Sequence, residues 1–93
     1  MFTLSMSFTL LPGDPDDFTD LIVKHAHTMM EEEHDCLRCE VYRSQDEPEK
    51  FFLQMLYKNQ DAADKSWPVL EDFHKAVKPW LAKCRILSWD RIV

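Results

Sequence analysis

The chain reads as α+β: a ferredoxin-like β-α-β-β-α-β order, with a four-stranded antiparallel sheet and both helices on one of its faces. Three features carry that reading. The opening residues alternate strictly between apolar and hydroxyl side chains. Two later stretches repeat apolar residues at helical spacing. Between them, two β-rich runs flank a polar turn containing Pro48, which spells a hairpin.

Each element has its own signal. Phe2, Leu4, Met6, Phe8 and Leu10 alternate with Thr3, Ser5, Ser7 and Thr9. That period of two gives a strand with one apolar and one hydroxyl-lined face. Pro12-Gly13-Asp14-Pro15 is a turn, with Asp14 suited to an N-cap and Pro15 to the first helical position. Phe18, Leu21, Ile22, His25, Ala26, Met29 and Met30 fall on one helical stripe. The acids from Glu31 to Asp35 oppose the dipole at a helix C-terminus, so that end should fray. Cys36 to Ser44 and Phe51 to Tyr57 are the hairpin strands. Asn59 to Ser66 reads as a short helical turn that Pro68 interrupts, with Pro68 starting the next helix. Val69, Leu70, Phe73, Val77 and Trp80-Leu81 mark that helix's apolar side, and Pro79 should kink or shorten its end. Cys84 to Val93 is the last strand.

Composition narrows the function. The 93 residues make one domain, 1–93. Hydrophobic residues are 45% and charged residues 30%, which allows a buried core beneath a charged surface. Gly13 is the only glycine, which excludes glycine-rich phosphate loops and dinucleotide fingerprints. A net charge of −6 without a basic run argues against nucleic acid or a membrane surface as partner. No apolar stretch is long enough to span a bilayer. The first residues lack a basic flank and a cleavage site, so they read as strand rather than export signal. The expectation is a cytoplasmic protein whose three cysteines are thiols.

The second sheet face sets the expected assembly. The opening strand gives it Thr and Ser, and the third strand is apolar on both sides. The last strand sets Ile86, Ser88, Asp90 and Ile92 against Arg85, Leu87, Trp89, Arg91 and Val93. A mixed face of this size suits a partner sheet, and left bare it invites aggregation. A symmetric homodimer with these faces turned inward is therefore expected.

The run Cys36-Leu37-Arg38-Cys39-Glu40-Val41-Tyr42-Arg43-Ser44, then Asp46-Glu47-Pro48, Phe51, Leu53, Tyr57 and Asp61-Ala62-Ala63, resembles the antibiotic biosynthesis monooxygenase family, as do Phe73, Val77 and Pro79-Trp80-Leu81. The resemblance covers nearly the whole chain. It implies a dimeric α+β barrel of ferredoxin-like protomers. It implies, for some members, cofactor-independent monooxygenation of quinols or polycyclic aromatics. Others in the superfamily degrade haem or isomerise small sugar-phosphate signals. The chain departs from the quinol-oxygenase pattern at three places. Met55 stands where many members carry a glutamate, and Asp64 and Val69 stand where they carry a histidine pair. Methionine and valine cannot accept a proton from a phenol. Against the haem-degrading branch, Ser5 or Ser7 replaces an asparagine and Trp67 misses the tryptophan position, while His74 falls near its histidine.

The remaining chemical candidates each have a bland reading. His25 and His27 lie two apart on a helix, about 200° around its axis, and cannot share a ligand. His25 sits on the apolar stripe, where helix packing competes with a cavity-facing role. His74 stands beside Phe73 at the edge of the second helix's buried side. Cys36 and Cys39 form a C-x-x-C on a strand. Residues three apart there point to opposite faces with Cα atoms about 10 Å apart, too far for a disulfide or a shared metal. Trp67, Trp80 and Trp89 suit packing, with Trp89 the first choice as a wall for a flat ligand. The hydroxyl row of the first strand, with Arg38, Glu40 and Tyr42, could supply hydrogen bonds inside a barrel or simply face water.

Two functions follow. In the first, the chain is a cofactor-independent monooxygenase that oxidises a small aromatic or quinol with dioxygen. Its base is sought among His74, His25, Tyr42 and Glu40, and its pocket among Trp89, Met55, Phe51, Phe73 and Ser7. No cofactor and no metal enter. The alternative is a homodimer that binds a small aromatic without turning it over, which Met55, Asp64 and Val69 favour. An isomerase or decarboxylase on the same scaffold is a third possibility.

Overall fold

The computed structural model describes residues 1–13 and 15–93, so the expected N-cap at Asp14 lies outside the described residues. The elements are β1 (Phe2–Leu10), α1 (Asp16–Glu32), β2 (Cys36–Arg43), β3 (Lys50–Tyr57), α2 (Gln60–Val77), a 3₁₀ turn (Lys78–Trp80) and β4 (Leu81–Asp90). The sheet order is β2-β3-β1-β4, and every neighbouring pair is antiparallel. This is the ferredoxin-like arrangement that the sequence predicts.

β1 occupies a central position, and its alternation sets both faces. Phe2, Leu4, Met6, Phe8 and Leu10 are buried beneath the helices. Their partners on β3 are Tyr57, Met55, Leu53 and Phe51, all buried. α1 adds Phe18, Ile22, His25 and Met29, and α2 adds Ala62, Ala63, Ser66, Leu70, Phe73 and Val77. A column of rings ties the layers together. Phe51 meets Phe18 at 5.0 Å, Phe18 meets Phe8 at 5.6 Å, and Phe8 meets Phe73 at 6.0 Å, all edge-on. Edge-to-face contact suits aromatic quadrupoles and adds roughly 0.5–1.5 kcal/mol per pair beyond area burial. Phe8→Ala should thus cost about 3–5 kcal/mol.

Four boundaries differ from the sequence reading. Pro15 is the N-cap of α1 rather than its first helical residue, and its carbonyl accepts from the Thr19 amide at 2.9 Å. Asn59 to Val77 is one continuous run rather than two helices. Asn59 Oδ1 accepts from the Ala62 amide at 2.9 Å, a side-chain cap strong enough to start the helix early. Pro68 then sits mid-helix on the solvent side, where the Asp64 carbonyl that loses its bond is free to meet water. Pro79 does end α2, in the 3₁₀ turn, and β4 consequently starts at Leu81 and stops at Asp90. Leu81 is thus a strand residue, and Arg91 to Val93 lie beyond the sheet.

The fourth difference concerns the cysteines. The β2–β3 register shifts between Cys36 and Arg38, a bulge that leaves Leu37 without a partner. Cys36 therefore pairs with Tyr57 and Cys39 with Met55, and both thiols face the helices. Strict alternation would have placed them on opposite faces. At the turn before α1, Gly13 has φ +146°, a conformation that side chains other than hydrogen rarely adopt.

Pro68→Ala restores a main-chain donor in α2. It should raise unfolding stability by roughly 1–2 kcal/mol, read as a higher urea midpoint at unchanged slope. A lower midpoint would mean that the proline fits its site better than the missing bond suggests.

Candidate functional site

The sheet divides the candidate residues into two groups. On the helix side lie His25, Phe73, Met55 and Phe51; on the open side lie Glu40, Tyr42, Trp89 and Ser7. They do not line one common pocket. Strand residues of odd and even number project to opposite faces, so a set drawn from both parities is split by the sheet itself.

The helix side is closed. Phe8, Phe18, Leu53 and Met55 fill the space between sheet and helices, and Met55 is fully buried. The Met55 sulfur accepts from the Tyr57 hydroxyl at 3.8 Å, and burial raises Tyr57's phenol pKa. Between α1 and α2, however, a shallow cleft of about 260 Å³ opens, lined by Leu21, Lys24, His25, Thr28, Val69, Asp72 and Phe73. His25 forms its inner wall and is only 8% exposed. Its ring stacks on Phe73 at 4.0 Å and 11°. The Nε2 atom is buried with no hydrogen-bond partner among the described residues. Loss of water lowers its pKa to about 4, so the imidazole is neutral at physiological pH. A neutral imidazole with a spare nitrogen can accept or give one hydrogen bond to a ligand. His74, one residue on from Phe73, is partly buried and does not line the cleft.

The open side is built in straight rows, because antiparallel partners sit opposite one another. One row reads Arg38, Leu56, Thr3, Trp89, and the next Glu40, Gln54, Ser5, Leu87. Trp89 Nε1 donates to Ser5 Oγ at 2.8 Å, which pins a large ring that is otherwise half exposed. Arg38 donates to Glu40 at 3.3 Å. Thr3, Arg38, Glu40, Gln54, Leu56 and Trp89 border a groove of about 540 Å³. Further along, Tyr42, Phe52 and Ser7 border a second groove of about 430 Å³ with Lys83 and Arg85. Hydrogen bonding to Glu40 raises the Tyr42 phenol's pKa, which makes it a donor rather than a base.

The cysteines bring no nucleophile. All three are free thiols. Burial raises Cys36 and Cys84, and takes Cys39 to about 12. A thiol so held is protonated and unreactive at neutral pH.

Sequence reasoning named His25 but not its setting. The unpartnered nitrogen and the stacked ring depend on how two helices meet, for which periodicity gives no signal. Asp72 and Thr28, on the cleft's rim, carried no signal either.

Comparison with known proteins agrees with the fold. The family profile described as antibiotic biosynthesis monooxygenase matches residues 1–79. No curated protein matches the chain. Solved structures do: a Nitrosomonas europaea protein superposes with TM-score 0.89 at 16% identity, covering 100% of each chain. SnoaB, a cofactor-independent oxygenase from Streptomyces nogalater, gives 0.85 at 15% identity over 99% of this chain and 93% of its own. A Pseudomonas aeruginosa protein gives 0.85 at 15% identity over 99% and 94%. At such identities the likeness is one of fold.

Burial of neutral His25 makes stability depend on pH. In the unfolded chain this group protonates near 6.5, and in the folded protein only near 4. Between those values the unfolded state binds more protons, so stability falls as pH drops through that window, by an amount on the order of 3 kcal/mol. Above the window the group has no effect. His25→Phe keeps the stack and should lose less stability than the parent between about pH 7 and about pH 4.5 in urea melts. Equal losses would show that His25 gains its proton without unfolding.

Proposed function

The chain belongs to the antibiotic biosynthesis monooxygenase family, and from that premise we propose that it is a cofactor-independent oxygenase acting on a small electron-rich aromatic or quinol. The observation that carries the proposal is His25. It is a neutral base with an unpartnered Nε2, set in the wall of the cleft between α1 and α2. A phenolic hydroxyl entering there would give its proton to the imidazole. The phenolate left behind favours the imidazolium beside it, which offsets the low pKa of the empty site. An electron-rich anion can reduce dioxygen directly. A quinol and O₂ then give a hydroxyquinone and water, which balances without an added reductant.

The chain's own residues support this in definite ways. Phe73 fixes the plane of His25 by stacking at 4.0 Å. Lys24 and Asp72 on the rim can orient a polar substituent. Met55, at the place of the glutamate that many relatives carry, is sealed in the core, which moves the search for a base to α1.

The homodimer belongs to the same proposal. The open face carries Tyr42, Trp89, Phe52, Leu56 and Leu87, of which Tyr42 is 49% and Trp89 53% exposed. A second copy covering that face would remove these rings from water. A cytoplasmic setting is proposed with it. Among the described residues, no helix is long and apolar enough to cross a membrane.

A second reading, a homodimer that binds an aromatic ligand without chemistry, is favoured by one observation. The interior between sheet and helices is packed, so a ligand must enter by parting α1 from α2 or bind on the open face. Oxygen uptake with 1,4-naphthoquinol separates the readings. On the oxygenase reading the parent consumes oxygen, His25→Phe lowers kcat by roughly a hundredfold or more, and His74→Ala changes it little. Uptake that survives His25→Phe, or is absent in the parent despite ligand binding, refutes the assignment of the base. For the assembly, Leu56→Glu should convert a dimer into a monomer in sedimentation velocity. A parent that sediments as a monomer at every concentration refutes the dimer.

A further inference from the structure

The C-x-x-C of β2 is a motif that the oxygenase reading leaves unused. In a regular strand its two thiols would lie on opposite faces. The bulge at Leu37 changes that. Cys36 pairs with Tyr57, Arg38 with Leu56 and Cys39 with Met55, so the thiols stand only two β3 positions apart and face the same side. Bulges re-aim side chains in this way, and they are enriched beside functional sites. Two strand positions measure about 6.6 Å. A metal–thiolate bond is about 2.3 Å, so an ion between two sulfurs holds them at most about 4.6 Å apart. Two Cβ–Sγ bonds turned toward one another close the difference.

Other groups converge on the pair. Met55 lies directly across from Cys39. The Tyr57 hydroxyl is 3.8 Å from the Met55 sulfur and is also hydrogen-bonded to the Cys36 thiol, so it spans those two sulfurs. Glu33 near Cys36 and Glu40 near Cys39 place negative charge beside the pair, which disfavours free thiolates and favours a cation. β2 is an edge strand and Cys39 is half-buried, so the pair is reached from the margin of the sheet on the helix side. A second copy seated on the open face would leave it uncovered.

The donor set points to a particular kind of ion. Among the described residues, no group of three or more His, Cys, Asp and Glu is placed to hold a metal. A zinc site closed by four such ligands is therefore excluded. Two thiolates and a thioether suit a soft ion of low coordination number, and such ligands select monovalent copper. We propose that Cys36 and Cys39 bind one monovalent copper ion as thiolates, with the Met55 thioether as third donor. Two copper–thiolate bonds form as two S–H bonds break, both protons pass to solvent, and no electron moves. The Tyr57 hydroxyl donates to the anionic Cys36 sulfur and stabilises it. The site shares no residue with the His25 cleft and does not rest on the oxygenase reading.

Titration of the reduced parent protein with cuprous ion under argon, against the chelator bicinchoninate, tests the site. The parent should take up one ion per chain and show a thiolate-to-copper charge-transfer band in the ultraviolet. Release of two protons should tighten binding about hundredfold per pH unit while both thiols start protonated. Cys39→Ser should weaken binding about hundredfold or more, and Met55→Leu, which keeps the core filled, about tenfold. Cys84→Ser removes the third thiol, on β4, and should leave the affinity within about twofold. A pH dependence of one proton or none overturns the proposal in the parent itself, whether or not the variants fold. Equal weakening by Cys39→Ser and Cys84→Ser overturns it too, as does zinc binding as tight as that of copper.

Discussion

One constraint governs this molecule: the two-residue period of a central strand. β1 is hydrogen-bonded on both edges, to β3 and β4, so its alternation is imposed on its neighbours through the register. Phe2, Leu4, Met6, Phe8 and Leu10 draw the dry residues of β3 to one side. Thr3, Ser5, Ser7 and Thr9 draw Phe52, Gln54, Leu56, Arg85, Leu87 and Trp89 to the other. A slip of one residue would exchange these sets entirely. The ring column from Phe51 through Phe18 and Phe8 to Phe73 then fixes both helices over the dry side. The same division bears on where chemistry can happen, since a packed dry side leaves space at the seam between helices, on the wet side and beside the loop that precedes α1.

The helix seam carries a cost that a purely structural residue would avoid. A buried nitrogen without a partner costs roughly 1–3 kcal/mol relative to a satisfied one, and a leucine or phenylalanine at position 25 would not incur it. His25 holds that position against Phe73, with the polar residues Lys24, Thr28 and Asp72 around the cleft. Its depressed pKa follows from the same burial, so the free nitrogen, the neutral ring and the pH-sensitive stability have one physical origin. A ligand that supplied the missing hydrogen bond would remove the penalty, which makes binding and stability linked quantities at this site.

The open face combines features that seldom coexist on bare protein surface. Large rings, hydroxyls and cations lie in ordered rows. Trp89 is tethered to Ser5, and Arg38 to Glu40, so part of the face is already organised before any partner arrives. Apolar area there favours contact with another sheet.

Much of this was legible in the chain itself. Strict alternation in β1, helical spacing around Phe18 and Phe73, and a polar turn at Pro48 determined the order of elements, because local periodicity reports which side of an element is dry. His25 was legible as a stripe histidine for the same reason. Other features were decided only in three dimensions. Asn59 capped a helix long enough to carry Pro68 inside it, and a bulge at Leu37 turned Cys36 and Cys39 to the same face. Tyr42, Phe52, Ser7 and Arg85 come from four strands, and no local pattern announces that they share a row. Local sequence fixes what each segment prefers, whereas register and packing fix which distant residues meet.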